Sequence, residues 1–289
     1  MHAYLIIAYN DFELLKCLIR MLDYPYNDIY IHIDKKSKKF KQNDFIGITK
    51  YSKLYFIKRE KVYWGGYSQV NCEINLLKSA KNRKSYSYYH LLSGADLPIK
   101  SIEEIYNFFE NNLGKEFISF DVENEKNGEF LDRIKYYYPL QDIIGRRNKF
   151  FIKIQLLFIE LKKKLNVNRI KNRNYIFRKG TNWFSITDNL ATYILSKEEE
   201  IKSIFSKGWC VDEVFLQTLA WNSKFKENIY GDSMRLFDWN RGKPYIYREA
   251  DFFELINSEK LFARKFSNSV DPKIIDTIEF YFQEKNTNK

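Results

Sequence analysis

The sequence predicts an α/β protein in which a mostly parallel sheet is flanked by helices. Short apolar, β-branched runs alternate with helical periodicity through about residue 120, and cap and turn residues follow each run. Size and composition agree. A chain of 289 residues with 45% hydrophobic and 18% aromatic residues can bury a large core. The same figures exclude a disordered or low-complexity chain, which needs low hydrophobicity and few aromatics.

The elements follow in order. Residues 3–8 (AYLIIA) read as a buried strand, with Asn10 and Asp11 as cap residues for a helix over 12–22. Residues 28–33 (DIYIHI) and 54–57 read as the second and third strands, and 69–80 as a helix. Residues 88–92 form the fourth strand, and Ser101 with Glu104 gives the capping-box signature of a helix through 109. Residues 117–120 are a further strand. Beyond that point the pattern is less regular. Strands are expected over 183–186 and 244–247, and helices over 189–195, 212–221, 251–256 and 272–282. No Gly/Ser/Pro-rich linker and no internal repeat divides the chain, so it reads as one domain, 1–289.

In such sheets ligands gather beyond the carboxyl ends of the strands. That rule singles out Tyr9-Asn10, Asp34-Lys35-Lys36 and Ser93 to Asp96. A cluster of aromatics and glycines, Val62 to Ser68, allows a tight turn beside large rings. A ring there can stack on a base or a sugar, or simply pack in a turn. In Gly208 to Glu213, acidic residues either answer the dipole of a following helix or make Glu213 a general base. There is no Asp-x-Asp pair. His32 and Asp34 share a strand face, which allows a weak metal pair, but with only three histidines the packed-strand reading of His32, without metal, is the stronger one. An anionic ligand would then be met by basic residues such as Arg241, Lys243, Arg248, Arg264 and Lys265.

The net charge of +11 is local. Residues 146–179 contain 12 basic residues and one acid, Glu160, and the rest of the chain is balanced. The same segment carries an apolar stretch, 150–161 (FFIKIQLLFIEL), too short to span a bilayer. It can lie on an anionic membrane surface or pack as a core helix with a solvated basic end. Three isolated cysteines (Cys17, Cys72 and Cys210), no long apolar run and no export signal predict a cytoplasmic protein, peripheral at the inner face of the membrane.

Taken together, seven segments resemble the core-2/I-branching β-1,6-N-acetylglucosaminyltransferase family, which includes protein O-xylosyltransferases. They are YLIIAYN (4–10), IHIDK (31–35), WGGYSQV (64–70), LSGADLPIKS (92–101), GTNWFSIT (180–187), VDEVF (211–215) and LFARKF (261–266), in family order. The resemblance implies a GT-A-like fold, inversion at the anomeric carbon, a UDP-sugar donor and no cofactor or divalent metal. It divides the chain into a nucleotide-binding half (about 1–125), a basic insert (146–179) and an acceptor and catalytic half (about 180–289). By matching positions it implies that Ala8, Tyr9, Asn10 and Asp34 hold the uridine, that Trp64 lies against the nucleotide, and that Glu213 is the catalytic base. Lys265 would contact the diphosphate together with Arg241 or, one short gap away, Lys243, Arg241 being preferred for its two-pronged guanidinium. Trp239 and Asp96 would meet the acceptor glycan or lipid-linked glycan. The xylosyltransferase branch has a catalytic Asp where this chain has Asn182, which weakens the xylosyl reading and favours Glu213 as the base; N-acetylglucosamine is the family's default sugar, with xylose or a hexose such as galactose or glucose as the alternative. The bare catalytic domain is that expected of a bacterial surface-polysaccharide enzyme. The rival from another class is a basic nucleic-acid-binding protein, for which no helix-turn-helix, zinc-finger or RNP motif is present, so no nucleic-acid partner is expected.

Overall fold

The computed structural model describes residues 1–145 and 149–287. Its strands are β1 (His2–Ala8), β2 (Asn27–Ile33), β3 (Lys53–Phe56), β4 (Tyr88–Ser93), β5 (Asp96–Pro98), β6 (Glu116–Ser119), β7 (Ser185–Thr187), β8 (Ile229–Gly231), β9 (Arg235–Phe237) and β10 (Phe262–Arg264). The helices are α1 (Phe12–Leu22), α2 (Tyr67–Lys81), α3 (Ile102–Glu110), α4 (Val122–Lys126), α5 (Asp132–Lys135), α6 (Gln141–Ile144), α7 (Lys149–Lys164), α8 (Asp188–Ser196), α9 (Glu198–Phe205), α10 (Phe215–Trp221), α11 (Phe252–Asn257) and α12 (Pro272–Thr287). The α/β class expected from the sequence is the one observed.

The chain forms two compact units, both discontinuous. Unit 1 is Met1–Arg59, Ser79–Gly114 and Met234–Lys289, and unit 2 is Glu60–Lys78 and Lys115–Ser233. These units differ from the linear halves drawn on the sequence. Residues 60–78 leave the first half, and residues from 234 onward return to the strands that open the chain.

Unit 1 holds a parallel run in the order β3-β2-β1-β4. Every residue of β2 and β4 is buried, which explains why these strands read as continuous apolar runs. The register pairs Ala8 with Ile33 and Ile7 with Ser93, so three strands end level. A second, three-stranded sheet places β10 antiparallel to β5 and parallel to β9. Asp11 caps α1 by accepting from Leu14 N, and the capping box of Ser101 and Glu104 starts α3. Arg20 of α1 grips Glu279 of α12 through Nε and Nη2 of its guanidinium (2.5 and 2.7 Å). All three histidines are buried in this unit. His2 contacts Glu110 (3.0 Å) and His90 (3.1 Å), and burial pushes His2 down to about 4 and His90 well below the usual imidazole value. His32, on β2, is buried as a packed strand residue.

In unit 2, β6 lies between β7 (antiparallel) and β8 (parallel). Glu116 on β6 is fully buried and accepts from the N–H (2.9 Å) and hydroxyl (2.6 Å) of Thr187. Burial nevertheless pushes its carboxyl up to about 7.

Three sequence expectations change. The helix expected over 212–221 is broken. Residues Val211–Glu213 form one 3-10 turn, closed by Val214 N on Val211 O (3.0 Å), and α10 begins only at Phe215. Residues 244–247 are not a strand: Pro244 has no N–H, Tyr245 N turns back to Asp238 O, and the segment meets Lys265 only through Tyr245 O and Tyr247 N. The strand expected over 183–186 is β7, shifted to 185–187. None of the three cysteines is in a disulfide, and all are buried. Among the described residues no helix is long and apolar enough to cross a membrane.

Candidate functional site

In unit 2 three of the segments singled out in the sequence meet around Glu213. Its carboxylate accepts from Arg133 Nη1 at 2.6 Å, and Lys179 Nζ stands 3.9 Å away. The side chain keeps 36% of its exposure, and both cations approach the same oxygen, Oε2. Arg133 is itself fixed. Its guanidinium lies over the Trp209 ring (5.3 Å) and its carbonyl accepts from Trp209 N (2.9 Å). Lys179 also pairs with Asp121 (2.5 Å).

The backbone is tied as tightly as the side chains. Gly180 N donates to Glu213 O at 2.9 Å, and a Cβ at Gly180 would stand 1.8 Å from Ser119 O. Only glycine fits between that strand end and the turn carrying Glu213. Gly65 has φ +71° and its carbonyl accepts from Cys210 N (2.8 Å), joining the aromatic-glycine cluster to the Glu213 turn. Trp64 lies edge-on to Trp209, with centroids 6.4 Å apart, and remains partly exposed.

The neighbour of Glu213 is treated differently. Asp212 is buried, accepts from Gln69 Nε2 (2.9 Å), and leaves Oδ1 without a hydrogen-bond partner. Burial, with the charge of Glu213, pushes its carboxyl up to about 7. Glu73, on α2, is completely buried and held well above the carboxylate range by burial and by Asp212. Asn182 is the polar group beside it.

In unit 1 the level strand ends bring Ala8, Tyr9, Asn10 and Asp34 to one edge. Asp34 N donates to Ala8 O (2.9 Å), and the Asp34 carboxylate accepts from Lys36 N (2.8 Å). Arg59 holds the same loop by donating to the carbonyls of Asp34 (2.9 Å) and Ser37 (2.7 Å). A cavity of about 630 Å³ opens here, lined by Tyr9, Asn10, Ser37, Lys38, Lys39 and Asn268 among others. Tyr9 is 59% exposed, and Asn268 is anchored to Asp11 through its backbone N–H (2.9 Å) and its side-chain amide (2.6 Å).

The predicted cations of unit 1 differ in availability. Arg241 donates to Asp251 (2.8 Å), to both oxygens of Glu254 (2.7 and 2.8 Å) and, through Nε, to Asp238. Its guanidinium thus faces three carboxylates. Lys243 is exposed in the loop that Tyr245 N closes on Asp238 O (2.8 Å). Lys265 N bonds Tyr245 O (3.3 Å), which hangs this loop on β10. The Lys265 ammonium is half-buried, and burial together with the neighbouring Arg264 lowers its pKa. Asp96 is buried and taken up by Ser93 N (2.8 Å), Ser93 Oγ (3.0 Å) and Arg264 Nη1 (2.7 Å), so its place in the fold is to hold Arg264. Trp239 is 61% exposed on the same loop as Lys243.

Sequence reasoning missed Arg133, Lys179, Trp209, Gln69 and Arg59. Trp209 lay inside a segment already singled out, and its aromatic character beside Glu213 was a usable signal. Gln69 lay inside WGGYSQV and Lys179 inside the basic segment, but their partners are 143 and 34 or more residues away, and Arg133 and Arg59 lie in no segment singled out.

The family model described as core-2/I-branching enzyme matches residues 2–259. "Xylosyltransferase sqv-6" of Caenorhabditis elegans is 25% identical over 299 residues, covering 92% of this chain and 34% of the relative. The human N-acetyllactosaminide β-1,6-N-acetylglucosaminyl-transferase is 22% identical over 313 residues, covering 99% of this chain and 73% of the relative. The chain thus spans about a third of the length of the xylosyltransferases it matches. The crystal structure of mouse xyloside xylosyltransferase 1 in its apo form aligns over 93% of this chain and 99% of that one, with 12% identity and a TM-score of 0.40. With a match over residues 2–259, the chain belongs to the core-2/I-branching enzyme family of glycosyltransferases.

Proposed function

We propose that this chain is an inverting glycosyltransferase that moves N-acetylglucosamine from UDP-N-acetylglucosamine to a hydroxyl of a glycan or lipid-linked glycan, as in surface-polysaccharide synthesis. The observation that carries the reading is Glu213, a partly exposed carboxylate gripped by Arg133 and fixed through its own carbonyl by Gly180. A general base must be ionised before it accepts a proton, and a guanidinium partner suits that state.

In the reaction the acceptor oxygen bonds to the anomeric carbon as the bond from that carbon to the UDP oxygen breaks. The acceptor proton passes to Glu213, and the bonding pair leaves with UDP. Lys265 answers the charge that develops on the diphosphate. Lys243 suits the second cationic role better than Arg241, whose guanidinium already faces three carboxylates. Ala8, Tyr9, Asn10 and Asp34 take the uridine, with Trp64 as the aromatic partner. Trp239 offers its exposed ring to the acceptor sugar, and Asp96 acts there through Arg264. With lysines in that role, no divalent ion is needed for the diphosphate.

Xylose is the second reading, because several relatives are xylosyltransferases at 20–25% identity. Asn182 supports the first. It stands beside the buried Glu73, and the Asp of the xylosyltransferase branch would set a second acid against that carboxyl. A panel of UDP-sugars, scored for UDP release in excess EDTA, tests both. Release from UDP-N-acetylglucosamine alone is expected. Release from UDP-xylose alone favours the second reading, and a strict requirement for added metal overturns the proposed charge chemistry.

A further inference from the structure

We propose that α7 seats this protein on an anionic bilayer surface, with the helix axis in the plane of the lipid headgroups. The 16 residues of α7 present two opposed faces. Gln155 and Ile159 point inward and are buried, and Gln155 is anchored to Leu140 N (3.1 Å) and to Gln141 (3.0 Å). Phe150, Ile154, Leu157, Phe158 and Leu161 fall at i, i+4, i+7, i+8 and i+11, one stripe of a 3.6-residue helix. That stripe points outward. Phe150 is 67% and Leu157 72% exposed, and Phe158 and Leu161 are more than half exposed. An apolar stripe turned to solvent is the reverse of what a core-packed helix requires.

The charges frame the stripe. At 100° per residue, Lys153 and Lys164 border it on one side and Lys162 on the other. Lys162 lies over the rings of Tyr137 (4.6 Å) and Phe158 (6.0 Å). The 12 basic residues of 146–179 are not equally available. Arg178 pairs with Glu125, Lys179 with Asp121, and Arg169 donates to the carbonyls of Ile204 and Ser206. Arg146 and Arg147 lie outside the described residues. The helix-borne lysines remain at the edge of the apolar stripe, the arrangement that binds a surface of acyl chains beneath anionic headgroups. A second copy of this chain is the poorer occupant. A two-fold contact through this face would set the lysines bordering the stripe of one copy against those of the other. At roughly 24 Å, α7 is also too short to cross the hydrocarbon core. The inference stands independently of which sugar is moved and of Glu213.

Co-sedimentation of the full chain with vesicles tests it, using phosphatidylcholine alone and phosphatidylcholine with about one-third phosphatidylglycerol. Binding to the anionic vesicles is expected to be at least tenfold stronger, and to weaken as NaCl is added. The double variant Leu157→Glu, Phe158→Glu is expected to lose at least tenfold. The triple variant Lys153→Gln, Lys162→Gln, Lys164→Gln is expected to lose about fivefold for each lysine. All five side chains are exposed or half-exposed, so the thermal midpoints are expected to match that of the parent. If the apolar variant melts early, the lysine variant decides. Equal binding to both vesicles, or unchanged binding in the lysine variant, overturns the proposal. So does a chain that ignores vesicles and instead forms a concentration-dependent dimer abolished by Leu157→Glu, Phe158→Glu.

Discussion

Units 1 and 2 use ion pairs in opposite ways. In unit 1 cations are surrounded by acids. Arg241 faces Asp238, Asp251 and Glu254, and Arg264 is held by the buried Asp96. In unit 2 one partly exposed acid, Glu213, is surrounded by cations, Arg133 and Lys179. An excess of partners immobilises the group at the centre. For Glu213 that means a partly exposed carboxylate aimed by its neighbours, as the proposed base requires. For Arg241 it means a guanidinium with its donors already engaged, so that an incoming diphosphate must displace a carboxylate. On the proposed reading, unit 1 would meet the diphosphate with lysines outside these clusters. Counting basic residues says less than asking which of them are already engaged.

The contrast can be tested one group at a time. The largest effect is expected from Glu213→Gln, which keeps the shape and removes the base. Transfer should fall by roughly 10²–10⁴-fold while UDP binding by calorimetry stays intact. Retained transfer would show that the cation-ringed carboxylate is only structural.

Next comes Gly180→Ala, which drives a methyl group into Ser119 O and displaces the turn bearing Glu213. A loss of about 3 kcal/mol in unfolding free energy is expected in denaturant melts. An unshifted midpoint would mean that the close approach is easily relaxed.

Within unit 1, Lys265→Met and Lys243→Met should each lower kcat/KM by roughly 10- to 100-fold, as expected for losing a charged contact to phosphate. Arg241→Met should cost less in kcat/KM and show instead as a lower thermal midpoint, because three carboxylates lose their partner. The reverse ranking would restore Arg241 as the diphosphate ligand.

The smallest effect distinguishes the units by pH. In unit 2 Asp212 and Glu116 titrate near 7 when folded, and Glu73 lies well above the carboxylate range. Their unfolded values lie near 4. Between those limits the folded state binds more protons, so these acids withdraw stability as pH rises from about 4 to 7 and beyond. His2 and His90 in unit 1 have folded values below 6.5. They withdraw stability as pH falls from 6.5 toward 4. Glu73→Gln should therefore gain little at pH 4.5 and roughly 1–2 kcal/mol at pH 7.5, measured by urea melts. A gain independent of pH would show that Glu73 is not the titrating group.

Much of this was legible from the sequence, for identifiable reasons. The strands of unit 1 announce themselves because parallel strands are buried on both faces and must be continuously apolar. The Ser101 capping box is local and therefore readable. Glu213 stood out because its segment keeps family order with the others. Unit 2 was harder to read. Its strands β7 and β8 are three residues each, too short to show a period, and the turn at Val211–Glu213 interrupts a segment whose apolar spacing suits one continuous helix.

What the sequence determined by itself was the class of fold, the strands of unit 1 and the loops at their ends, the likeness to one family, and the location of the net charge in 146–179. These depend on local periodicity and on the order of segments, which a linear chain records directly. The tertiary structure decided the partners and the facing. Arg133 reaches Glu213 across 80 residues and Arg241 meets Glu254 across 13, distances over which no propensity acts. It also decided which stripe of α7 turns outward. A helical period marks two faces, but only the neighbours that bury Gln155 and Ile159 determine which of them is left to water.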